Sequence, residues 1–256
     1  MIGIRPILLW FLLAVGPVAA QTPAEHVALG DALGDQLMPR AALEHYEMAI
    51  AGGGASYAAY WKAAGAVIDV AKQLTDERDR ARRDSLYLRA RGYAEAAIAA
   101  DSLGADGHFM LAQALGRLSR TKGGKERVRY GRLIYDEAAR ALALDPRHDG
   151  AHHVIGAWHA EVKRLSGLTR TIAKLFLGGG FLGRAAWDSA TAHLERAVEL
   201  RPGYVFHRLE LAQIYLDRDR RADAREQLDH LLTLPATDVQ DPAHKEEAAR
   251  LLQRLR

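Results

Sequence analysis

The sequence predicts an all-α protein, a right-handed solenoid of about five degenerate helix pairs with a C-terminal capping helix. Three observations predict it. Alanine, arginine and leucine dominate and β-branched runs are nearly absent, so strong helix formers fill positions that packing does not dictate. Three helical patterns end on the same punctuation, at Asp101-Ser102, Asp145-Pro146 and Arg201-Pro202, and proline cannot continue a helix. Nine, ten and thirteen residues after each end, a large-small-large pattern returns: Leu111, Ala112, Leu115; Ile155, Gly156, His159; Leu211, Ala212, Tyr215.

Residues 1–20 stand apart. Arg5 precedes an apolar run from Pro6 to Val15, and the stretch closes on Val18-Ala19-Ala20. A basic lead, a short apolar core and small residues at its end make a secretory signal peptide. The run is about half of the ~20 residues that a membrane-spanning helix needs, so a retained anchor is the second reading. The expected division is a leader at 1–20 and a helical repeat domain at 21–256, placed in the periplasm or secreted. The chain contains no cysteine, which rules out disulfides, a thiolate nucleophile and Cys-ligated zinc.

The repeat elements follow in order. Leu29-Gly30, then Ala42, Tyr46 and Ala49, supply the first pair. Trp61-x-x-Ala64-Gly65-x-x-Ile68 opens the second, and a charged stretch from Gln73 to Arg83 leads to its partner helix through Ala90 and Ala94. The third pair runs from Leu111 to Ile134 and Ala138, with an arginine-rich extension at Gly116 to Arg132. The fourth runs from Ile155 to Ala190 and Leu194. Its extension, Arg164 to Arg184, places Leu165, Leu168, Ile172, Leu175 and Phe176 on one helical stripe, expected to be a core helix with a membrane-surface face as the second reading, before a loop at Gly178-Gly179-Gly180. A nearly regular fifth pair passes Tyr215, Ala224, Leu228 and Leu231 to Pro235. Asp241 as N-cap and Pro242 in first place then open a closing helix with Leu251, Leu252 and Leu255 turned inward.

This is the tetratricopeptide pattern of Trp, Leu-Gly and Tyr slots on the first helix and Ala, Phe and Ala slots on the second. Small residues let helices approach and large ones fill the space between repeats. One pair cannot bury its own apolar face, so pairs must stack. The period is irregular, since the ends at Ser102, Pro146 and Pro202 lie 44 and 56 residues apart against the usual ~34.

The middle of the chain also resembles the regulator of microtubule dynamics family, degenerate tetratricopeptide proteins of animals with bacterial relatives. The resemblance rests on Gly124-Lys125 to Gly131, Ala141-Leu142-Ala143-Leu144-Asp145-Pro146, His153-x-x-Gly156-x-Trp158, and Trp187 through Ala190 to Pro202. It covers about residues 85 to 215. It implies an interaction protein and brings no catalytic residue or cofactor with it.

Lys+Arg 35 against Asp+Glu 32 gives a formal charge of +3, too near balance to point to nucleic acid. The alternative function is a metal-dependent hydrolase built on His148, His152, His153 and His159, because His148 and His152 are one helical turn apart, a chelating spacing, and Glu161 is near. The repeat alignment instead puts His152 in the Trp slot and His159 in the Tyr slot, where they pack. Lys122-Gly123-Gly124-Lys125 is no phosphate loop, because Ser119 stands where the earlier glycine must be and no strand precedes it. There is no G-x-S-x-G elbow.

In a solenoid the first helices line the concave side. The stripe one residue past each packing slot comprises Lys62, Asp69, Phe109, Gln113, Arg117, His153, Glu161, Gln213 and Asp217. It mixes an aromatic ring with both charge signs, which suits a protein or peptide partner. Arg117 to Arg132 also suits a peripheral contact with anionic lipid.

Overall fold

The computed structural model describes residues 21–53 and 56–255; the expected leader lies outside them. These residues form twelve α-helices and no strand. The helices are α1 (Pro23–Asp35), α2 (Pro39–Ala51), α3 (Tyr57–Lys72), α4 (Arg80–Ala100), α5 (Ala105–Ser119) and α6 (Gly124–Leu144). They continue as α7 (Asp149–Arg164), α8 (Gly167–Phe176), α9 (Trp187–Leu200), α10 (Val205–Asp217), α11 (Arg221–Thr233) and α12 (Asp241–Arg254). The pairs α1/α2, α3/α4, α5/α6, α7/α9 and α10/α11 stack as a solenoid, with α12 against α10 and α11.

The shared punctuation has a shared structure. α4, α6 and α9 end on Asp101, Asp145 and Arg201, with φ of −150°, −132° and −136°, the two aspartates in extended conformations. Asp101 and Asp145 each accept the backbone N–H two residues on, at 2.9 Å, so the side chain turns the chain toward the next repeat. Helix starts are fixed locally as well. Thr22 and Glu25 form a reciprocal capping box on α1, and Ser56 caps α3 through Ala59 N.

The inner stripes of the second helices are rich in alanine. Ala42, Ala49, Ala90, Ala94, Ala97, Ala138, Ala141, Ala190, Ala197 and Ala224 are all buried. With no side chain beyond Cβ, they let helix axes come close, while Ile68, Leu194, Leu211, Ile214, Leu228 and Leu231 fill the space between pairs. One core joins the first three pairs and another joins the last two to α12.

The extensions differ from expectation in an instructive way. Those at Gly116 to Arg132 and Gln73 to Arg83 largely lengthen the helix that follows, so that α4 and α6 each run 21 residues. The third is the separate helix α8 and a 3-10 turn at Gly180–Arg184. Its apolar stripe is not core. Of α8 only Ala173 is buried, while Leu168, Leu175 and Phe176 are 73%, 70% and 76% exposed. Ten residues make too small a helix to bury two faces, and the one turned to α6 carries Ala173.

Gly178 to Gly180 is likewise tighter than a loop. Gly178 has φ +74°, and a Cβ on Gly179 would lie 2.7 Å from the Ala173 carbonyl oxygen. Asp241 is not the N-cap of α12, whose cap position is Gln240. Its buried carboxylate instead accepts the N–H groups of Thr237 and Asp238 at 2.7 and 2.9 Å, tying down the preceding turn.

Candidate binding groove

The first helices α1, α3, α5, α7 and α10 line one side of the stack and meet through polar pairs. Lys62 on α3 bonds Asp31 on α1. The Tyr57 hydroxyl on α3 accepts from Gly107 N on α5 at 3.0 Å. Phe109 on α5 packs its ring 4.6 Å from that of His148, which caps α7 through Ala151 N. On α7, His153 and Asp149 meet His207 of α10, at 2.9 Å each.

The nine stripe residues divide by environment. Lys62, Asp69, Phe109, Gln113, Arg117 and Gln213 are half-buried, and Glu161 and Asp217 are exposed. His153 is buried against Phe206 and His207, so it forms wall rather than offering its ring. Asp217 is engaged by Arg164 at 2.7 Å. Asp69 holds Lys72 at 2.8 Å. Arg117 stands close enough to Asp69, Lys72 and His153 for its charge to act on all three.

The rings of the alternative metal cluster face different ways. His148 caps α7 and His152 bonds His193 and the Pro146 carbonyl. His153 bonds His207, and His159 accepts from Ala186 N at 3.2 Å. Among the described residues no three His, Asp or Glu side chains converge as a metal-binding set. Burial holds His153, His159, His193 and His207 below the usual imidazole range, His193 at about 4. They are neutral packing groups at neutral pH.

One feature of the groove has no repeat signature. The turn between α11 and α12 crosses to α3, where Asp238 meets Lys72 at 2.9 Å and accepts from the Tyr204 hydroxyl at 2.8 Å. Burial acts against the charged carboxylate, but Lys72, the Gln240 N–H and Tyr204 hold Asp238 at about 2. Nearby, His244 of α12 stacks on Phe206 with ring centres 4.6 Å apart. The C-terminal segment therefore packs against the first-helix side of the stack, on α3 and at the start of α10. Lys72 lies three residues past Asp69 and faces the same way, the only hint the sequence held.

Comparison with known proteins fits this architecture. A thermophilic TPR protein of Thermus thermophilus superposes over 90% of this chain and 100% of its own, with TM-score 0.64 and 20% identity. The pilF protein of Pseudomonas aeruginosa does so over 91% of each chain, with TM-score 0.53 and 14% identity. By sequence, regulator of microtubule dynamics protein 3 of Bos taurus is 28% identical over 192 residues, which are 75% of this chain and 40% of that protein. Regulator of microtubule dynamics protein 1 of Caenorhabditis elegans is 26% identical over 130 residues, 51% of this chain and 57% of that one. The chain thus spans about two fifths of the cattle protein's length. The family model for regulator of microtubule dynamics protein 1-3 matches residues 34–256, and the chain belongs to that family.

Proposed function

We propose that this protein is an exported helical-repeat adaptor that holds a protein or peptide segment in its concave groove, and that its role is binding rather than catalysis. Arg117 carries the reading. It is half-buried at the centre of the first-helix stripe, and among the described residues its guanidinium has no ion-pair partner, whereas Lys62, Lys72 and Arg164 are each paired. A half-buried, unpaired guanidinium suits a carboxylate that arrives with matching planar geometry. Gln113 and Gln213, half-buried on the same stripe, add donors and acceptors for a backbone laid along it. Export is supported by Arg5, the Pro6 to Val15 run and Val18-Ala19-Ala20.

Site-specific photocrosslinking tests the groove. A photoreactive residue at Gln113 or Gln213 is expected to trap a partner in envelope extracts, one at exposed Arg140 on α6 is not, and Arg117→Glu is expected to abolish the adduct. Equal adducts from both faces would end the groove reading. Export is checked by intact mass, expected to begin at Gln21.

A further inference from the structure

We propose that α8 and the cationic pocket at its C-terminal end form a docking surface for an anionic phospholipid bilayer, separate from the concave groove. Leu168, Ile172, Leu175 and Phe176 stand at i, i+4, i+7 and i+8, one face of the helix, and all four are exposed. Four large apolar side chains on one short helix are more than scattered surface residues, and a coherent exposed stripe marks a contact site. At about 15 Å the helix is too short to span a bilayer but long enough to lie in its interface.

Charge complementarity selects the occupant. From Lys163 to Arg184 there is no Asp or Glu, but there are five basic residues. Where α8 ends, Lys125, Arg129 and Arg132 of α6 rim a cavity of about 460 Å³ over an apolar floor of Leu177 and Phe181, with Glu126 its lone carboxylate. Arg132 lies over the Phe181 ring at 5.0 Å, which holds its guanidinium at the rim. Among the described residues Lys125 and Arg132 have no ion-pair partner, and Arg129 reaches Glu126 only at 3.9 Å. Apolar side chains beside unneutralised cations match acyl chains beneath phosphate headgroups. Two copies of the same surface would set like charges together.

The chain has no cysteine, so a single Leu175→Cys in the full chain carries one environment-sensitive fluorophore, with exposed Ser102→Cys as the remote control. Vesicles of phosphatidylcholine with phosphatidylglycerol are expected to shift the Leu175→Cys emission to the blue and to quench it through a nitroxide in the acyl region, leaving the control unchanged. Arg129→Gln with Arg132→Gln is expected to weaken partitioning about 25-fold, fivefold per cation. No shift on adding vesicles, or equal shifts at both sites, would overturn the proposal. A blue shift that grows with protein concentration before vesicles are added would assign the stripe to a second copy and overturn it too.

Discussion

Lys72 at the end of α3 and Asp238 in the turn before α12 are separated by 166 residues in sequence and by 2.9 Å in space, and both side chains are buried. Lys72 bridges two carboxylates, Asp69 and Asp238. Burial pulls its pKa down, but those two charges outweigh burial and raise it. Stripping three charged groups of water offsets much of their attraction. The net effect is positional: the C-terminal segment has one low-energy place against the groove.

Lys72→Met is therefore expected to destabilise the fold by about 3 kcal/mol, because it strands the buried Asp238 carboxylate and leaves half-exposed Asp69 without its cation. Adding Asp238→Leu to it should restore part of that loss. Urea unfolding of the single and double variants measures the coupling. Strictly additive losses would mean that the pair does not fix the turn.

Asp241 supports the same turn from below. It is fully buried and accepts two backbone N–H groups. Asp241→Ala leaves both donors unpaired, and charge-assisted bonds of this kind are worth about 1.5 to 3 kcal/mol each. The loss should appear in hydrogen exchange as faster opening at Thr237 and Asp238, with α1 and α2 unaffected.

The glycines of the packing slots are unequal. A Cβ on Gly156 would fall 1.8 Å from a Leu194 methyl and 3.0 Å from the Ala190 carbonyl oxygen. On Gly65 it would meet only Met110, at 3.5 Å. Gly156→Ala is expected to lose about 1 to 3 kcal/mol through overpacking, while Gly65→Ala should gain up to about 1 kcal/mol from helix propensity. Thermal melts that move together would show that α7 and α9 can part without penalty.

These contrasts mark how far the sequence could be read. Helix ends and slots were legible because each repeat restates them: Ala112, Gly156 and Ala212 sit ten residues after their punctuation and all are buried. The candidate stripe follows from the same register, and Arg117 and Gln113 stand on it half-buried, while His153 is buried behind Phe206 and His207. Lys72 with Asp238 was not legible, since nothing local ties a lysine to an aspartate 166 residues away. α8 misled for another reason. Periodicity shows that a helix has an apolar face, but not whether a neighbour covers it.

Mild acid should destabilise this protein. Burial depresses His153, His159, His193 and His207, with neighbouring histidines adding to it at His153 and His193, and leaves His193 at about 4. A histidine whose folded pKa lies below its unfolded value near 6.5 stabilises the fold only while both states are neutral. Its contribution is full above about pH 6.5 and disappears as pH falls toward 4, because the unfolded chain binds the proton first. His193 alone, still partly open to screening solvent, should remove about 1 kcal/mol by pH 5. Asp238, held at about 2, loses its contribution only below pH 4, so the two ranges separate. Urea midpoints measured from pH 7 to 4.5 are expected to fall with a slope of about two to four protons. His193→Gln should lower that slope by about one proton, since glutamine keeps a hydrogen-bonding partner for His152 and does not titrate. Stability unchanged between pH 7 and 5 would mean that these rings take up their protons in the fold at the same pH as in the unfolded chain, and that burial does not depress them.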